Sequence, residues 1–173
     1  MEHIDFFSDG LFSEPARTDS FFGINDGVQE GQGNEMAYTT IEGNEEDWNA
    51  LVENAQKVEV IFTPLDHNIV LHPQKGTTYS LCDGMLHSSD GCSFVIFVEL
   101  KIRGSNWIEE SIAQLKSTLD LFFQTKSIDE IKKCQAYAVN KKHPSFHYSH
   151  KETMQRFRDE TKVRLMIQRK ITI

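Results

Sequence analysis

Asp83, Glu99 and Lys101 are charged residues set into segments otherwise built for a core. On the pleat of Ser93–Ile102, Phe94, Ile96, Val98, Leu100 and Ile102 point one way and Val95, Phe97, Glu99 and Lys101 the other. The first face is continuously apolar. The second starts apolar and then presents a carboxylate and an ammonium, which such a strand seldom carries unless they are paired or functional. Asp83 likewise shares a face with Tyr79, Leu81 and Met85. If the two segments form a hairpin through His87–Gly91, Asp83 and Glu99 converge. Two carboxylates and a backbone carbonyl are a hard oxygen set suited to Mg²⁺, with Mn²⁺ as a substitute and waters in the remaining positions. A lysine beside them can orient or deprotonate a metal-bound water, or stabilise charge developing on phosphate. The bland alternative is a Glu99–Lys101 pair satisfying itself at a sheet edge, which leaves Asp83 unexplained.

The elements that would hold these residues follow from periodicity. Asn44, with Glu45, Glu46 and Asp47 after it and Trp48, Leu51, Val52 and Ala55 at helical spacing, predicts a first helix. Strands are expected over Val58–Phe62, Ile69–Leu71, Thr77–Leu86 and Ser93–Ile102. Asn106 and Glu109 read as a capping box opening a long helix from Trp107 to about Gln124, with Gln114 and Thr118 on the edge of its apolar face. Cys134–Val139 is a strand, Phe146–Glu160 contains a helix and Val163–Ile173 is a last strand. The order α-β-β-β-α-β-α-β describes an α/β (α+β) protein, a mixed sheet flanked by helices.

Composition narrows the class. The 173 residues suit one compact domain over 45–173 behind an acidic leader, 1–44, which carries Phe6, Phe7, Phe12, Phe21 and Phe22. That leader can dock on a partner, lie across the chain's own basic face or pack as core. No apolar run is long enough to span a bilayer, the N-terminus has no signal pattern, and three cysteines do not make a disulfide scaffold, so a cytoplasmic, membrane-free protein is expected. Cys82, His87 and Cys92 match no common zinc spacing. The net charge of −8 hides a division, with 3 Lys/Arg against 18 Asp/Glu in residues 1–100 and 15 against 8 in 101–173. The basic half points to an anionic partner, and Lys141, Lys142, His143 and Lys151, with His147, His150, Tyr137, Phe146 and Tyr148 among them, are candidate phosphate and base contacts.

Asp83, a hairpin, Glu99-Leu100-Lys101 and a following helix with Gln114 together resemble the PD-(D/E)XK nuclease superfamily, the restriction-endonuclease-like fold. The likeness is good over roughly 77–139 and limited to element order in the flanks. It implies Asp83, Glu99 and the Leu100 carbonyl as Mg²⁺ ligands, Lys101 as the catalytic lysine and Gln114 as a further site residue. Cys82 stands where the superfamily commonly has a proline before the aspartate. Its frequent N-terminal helix acid would be Glu45. The implied activity is Mg²⁺-dependent hydrolysis of phosphodiester bonds, as a DNA endonuclease working as a homodimer or with a companion protein, such as the nuclease of a restriction or phage-defence system. The alternative is a catalytically silent subunit of the same fold that binds nucleic acid or docks on a partner.

Overall fold

The computed structural model describes residues 3–27, 36–72, 79–102, 104–143 and 150–173. Among them, β4 (Ile61–Pro64), β5 (Gly84–His87), β6 (Val95–Lys101), β7 (Cys134–Asn140) and β8 (Arg164–Ile167) form a five-stranded sheet in that order. β4, β5 and β6 are antiparallel neighbours, whereas β6, β7 and β8 run parallel. The two parallel steps contain α1 (Trp107–Phe122) and α2 (Lys151–Thr161), as parallel neighbours require crossover connections. Pro64, which cannot donate to a ladder, sits on the edge strand. A second sheet, in the order β2-β1-β3-β9, comprises β1 (Phe21–Asn25), β2 (Tyr38–Thr40), β3 (Ala50–Glu53) and β9 (Lys170–Thr172).

Strand alternation divides the apolar residues between two cores. Met85, Val95, Phe97, Ala136, Ala138 and Leu165 face the helices and pack with Leu115, Leu119, Phe122 and Phe157. Leu86, Ile96, Val98, Leu100 and Val139 face the other way, against Phe22, Ile24, Ala50, Val52 and Ile171 of the second sheet. The order of layers is therefore helices, central sheet, second sheet, a mixed α/β architecture. Phe6 and Phe22, both in the acidic N-terminal segment, are core residues: Phe6 lies edge-on to Phe122 and Phe22 is in β1.

Four sequence expectations are corrected. The helix from Asn44 is only a 3₁₀ turn, Glu45–Asp47, and the chain then enters β3. Ala50 and Val52 also fit a period of two, and pairing with β1 and β9 on either side decides for the strand. Ile69–Leu71 forms no strand; the Asn68 amide donates to the Pro64 and Phe12 carbonyls and holds a turn there. Asn106 makes no side-chain cap, and the capping box forms instead at Ser127–Glu130. The last strand is two: β8 completes the central sheet, and β9 crosses to pair in parallel with β3. Residues 77–78 of the expected third strand and 146–149 of the expected last helix lie outside the described residues.

Candidate active site at the open end of the β5–β6 hairpin

The register that pairs Gly84 with Val98 places Asp83, one residue before β5, opposite Glu99. Because β5 has ended there, the Leu100 amide has no strand partner and donates to Asp83 Oδ2 at 2.6 Å. The amide and carbonyl of one strand residue point to the same side, so the Leu100 carbonyl also faces this opening. Lys101 Nζ lies 2.9 Å from Glu99 Oε1 and donates to Gln114 Oε1 at 2.7 Å. Gln114 Nε2 in turn donates to the Leu81 carbonyl at 3.3 Å. An ammonium that only donates and a carbonyl that only accepts fix which end of the Gln114 amide is which. Thr118, one turn further along α1, accepts from the Cys82 amide and donates to the Gln114 carbonyl, both at 2.8 Å, so the segment before Asp83 is tied to the helix. Asp83, Glu99, Leu100, Lys101 and Gln114 are thus brought together.

The electrostatics of this end are strained. Glu99 is 1% exposed, and burial, together with the neighbouring Asp83, pushes its carboxyl well above the usual range. Burial also raises Asp83, to about 7, against the opposing hydrogen bond from Leu100 and with further upward pressure from Asp26. Burial disfavours the Lys101 charge, but the bond to Glu99 and the negative charges of Glu99, Asp83 and Glu110 together outweigh it and the lysine is raised, so it stays an ammonium. One ammonium faces two carboxylates, leaving a charge deficit that a bound cation or a proton can fill. Asp26, just after β1, is raised by its own burial and lies within electrostatic reach of Lys101, Asp83 and Asp66.

Glu45 is not brought in. It is exposed on the 3₁₀ turn, where its carbonyl accepts from Arg169 Nη2, and the acid from the N-terminal part that acts on Asp83 is Asp26. Sequence reasoning missed Asp26 because it directly follows a strand, β1, whose alternation is interrupted by Gly23. That glycine is obligatory: a Cβ there would lie 2.3 Å from the Trp48 indole.

Among the basic candidates, Lys141 and Lys142 follow β7 at the same sheet end. The Lys141 amide donates to the Lys101 carbonyl at 3.2 Å, and its Nζ donates to the Asp47 carbonyl at 2.9 Å. Lys142 is exposed, and His143 stacks in parallel on Trp107, with ring centroids 6.2 Å apart. Lys151 is exposed at the start of α2. Tyr137 is withdrawn as a base contact, since it is 3% exposed within the core between the sheets. Phe146, His147 and Tyr148 lie outside the described residues.

The donor set fits a hard divalent ion in a specific way. Glu99 Oε2 is buried and has no hydrogen-bond partner, an open acceptor at the centre of the site. Among the described residues no three His, Cys, Asp or Glu side chains are close enough to enclose an ion, so a cation held by Asp83 and Glu99 would keep waters, as Mg²⁺ does. No helix among them is long and apolar enough to cross a membrane. Neither protein-family models, curated proteins nor solved structures give a match to this chain.

Proposed function

We propose that this protein is a Mg²⁺-dependent phosphodiesterase of the PD-(D/E)XK kind that cleaves nucleic acid, DNA first, with a second copy or a companion protein supplying specificity. The observation that carries the reading is the juxtaposition of Asp83 and Glu99 with Lys101, whose ammonium is held between Glu99 and Gln114. Asp83, Glu99 and the Leu100 carbonyl would hold the metal, and Asp26 adds negative charge to the same end. When bound, the ion supplies Lewis acidity toward a phosphoryl oxygen and acidifies a coordinated water. The chain's own part is electrostatic and positional. Lys101 orients the attacking water or neutralises charge gathering on the phosphoryl group. Gln114 fixes the Lys101 ammonium and, through Leu81, ties that fixation to the segment leading into Asp83. Lys142 and His143, exposed beside β7, offer positive charge and a ring to the strand being cut.

A second reading, a silent subunit of this fold that binds nucleic acid or docks on a partner, draws on the closed Glu99–Lys101 ion pair. One assay separates the two. Plasmid, linear and single-stranded DNA, and RNA, are incubated with Mg²⁺, Mn²⁺ or EDTA. Cleavage that EDTA abolishes and Mg²⁺ or Mn²⁺ restores supports the enzyme. Nucleic-acid binding with no cleavage under any metal supports the silent subunit.

A further inference from the structure

Asn140 closes β7 and is paired in register with Lys101. Its side chain shares the face of Ala136 and Ala138, which is also the face of Glu99 and Lys101. Asn140 is 1% exposed. Its Oδ1 accepts from the Lys142 amide at 2.9 Å, and since that amide can only donate, the NH₂ end is fixed and points elsewhere. Nδ2 is buried and has no partner.

The turn after β7 explains the oxygen, an acceptor holding the amide two residues on, but not the nitrogen. A threonine, serine or aspartate would hold that turn equally well without burying an unsatisfied NH₂ group. The same end of the β6–β7 pair therefore carries two unmet groups of opposite kind: a buried acceptor, Glu99 Oε2, and a buried donor, Asn140 Nδ2. An acceptor without a partner asks for a cation, and a donor without a partner asks for an oxygen acceptor. The surrounding charge selects an anionic one, since Lys101 is the register partner and Lys141, Lys142 and His143 follow directly.

We propose that Asn140 Nδ2 is a substrate-binding donor that takes an unesterified phosphoryl oxygen of the bound nucleic-acid strand. This inference rests on the phosphodiesterase reading and deepens it: Asp83 and Glu99 meet the metal, whereas Asn140 meets the phosphate.

The test uses the full chain and three measurements: Mn²⁺ binding by calorimetry, affinity for a short DNA duplex with Ca²⁺ as the cation, and the melting temperature. Asn140→Leu removes the donor without adding charge, and Asn140→Asp removes it while keeping the acceptor for Lys142. Duplex affinity is expected to fall about 10-fold or more in both, as for a lost hydrogen bond to a charged group. Mn²⁺ affinity should stay within about twofold of wild type, a change far smaller than tenfold. Asn140→Ala, which adds no charge at this buried position and less bulk than leucine, should show the same deficit. If Asn140→Leu does not fold, Asn140→Ala decides alone. Unchanged duplex affinity in these uncharged variants, in a protein that binds Mn²⁺ and cleaves DNA, overturns the inference and leaves the phosphodiesterase reading standing. A wild-type chain that binds no divalent cation overturns both.

Discussion

The β5–β6 hairpin has two ends, and each carries acid. At the closed end Asp90 sits in the turn and accepts from the Ser88 hydroxyl, the Cys92 amide, and both the amide and hydroxyl of Ser93. These donors hold its carboxyl well below the usual range. At the open end Asp83 takes the Leu100 amide and Glu99 the Lys101 ammonium, and burial drives both upward. The residue types are alike, but the closed end is fully answered by its own turn. The open end is held in a state its own residues leave incomplete. An acid with all its donors supplied locally is architecture; one that is buried and under-supplied is of the kind that clusters at functional sites.

The largest effects should come from the open end. Glu99→Gln and Asp83→Asn keep shape and remove a ligand charge, so metal-dependent cleavage is expected to fall on the order of 10³-fold while circular dichroism stays native. Asp90→Ala, at the other end, should cleave at the wild-type rate; equal losses at both ends would erase the distinction. Lys101→Ala is expected to slow the chemical step about 10²-fold in single-turnover assays with Mg²⁺ affinity largely kept. A collapse of Mg²⁺ binding in that variant would make the lysine structural.

Stability should separate the ends in the opposite direction. Because the folded Asp83 pKa is raised to about 7 from 3.8, the native state binds the proton more tightly than the unfolded chain does. Its contribution is fully present below about pH 4 and is lost as pH rises through 7. Without divalent ions, Asp83→Asn should therefore melt higher than wild type at pH 8, by roughly 5–10 °C, and the gap should close toward pH 4. Mg²⁺ should narrow that gap at pH 8 by stabilising wild type alone. Asp90→Ala should do the reverse and on a smaller scale, lowering the melting temperature slightly at neutral pH by stripping four donors of their acceptor. A melting curve for Asp83→Asn that tracks wild type at every pH would show that the open end is relaxed.

The open end was the part most legible in the sequence. Alternation over Ser93–Ile102 and Tyr79–Met85 puts Glu99 with Lys101, and Asp83 with Met85, on one face of each strand, the 100° projection of α1 puts Gln114 at the edge of its apolar face, and the family resemblance joins them into one site; the structure brings them together on the helix side of the sheet. These signals are local, and residues on one strand or one helix carry them unaided. What failed depends on partners distant in sequence. β1 contains Gly23 because Trp48 packs on it, and no window around Gly23 contains that tryptophan. Trp48, Leu51 and Val52 satisfy a helical spacing that pairing on both edges overrules. Asp26 and Asn140 looked ordinary because what marks them, the charge around one and the missing partner of the other, exists only after folding.

The pairing of β3 with β9 joins Leu51 to Lys170 and Val52 to Ile171, segments far apart in the sequence. Time therefore enters the description. During synthesis β3 emerges early and must wait with one edge bare until residues 170–172 clear the ribosome, and such late, non-local pairing is slow. The outer edge of the second sheet therefore depends on a contact far less local than those of the β5–β6 hairpin and α1. A chain truncated before residue 170 should lose hydrogen-exchange protection along the bared edge of β3 while keeping it in α1.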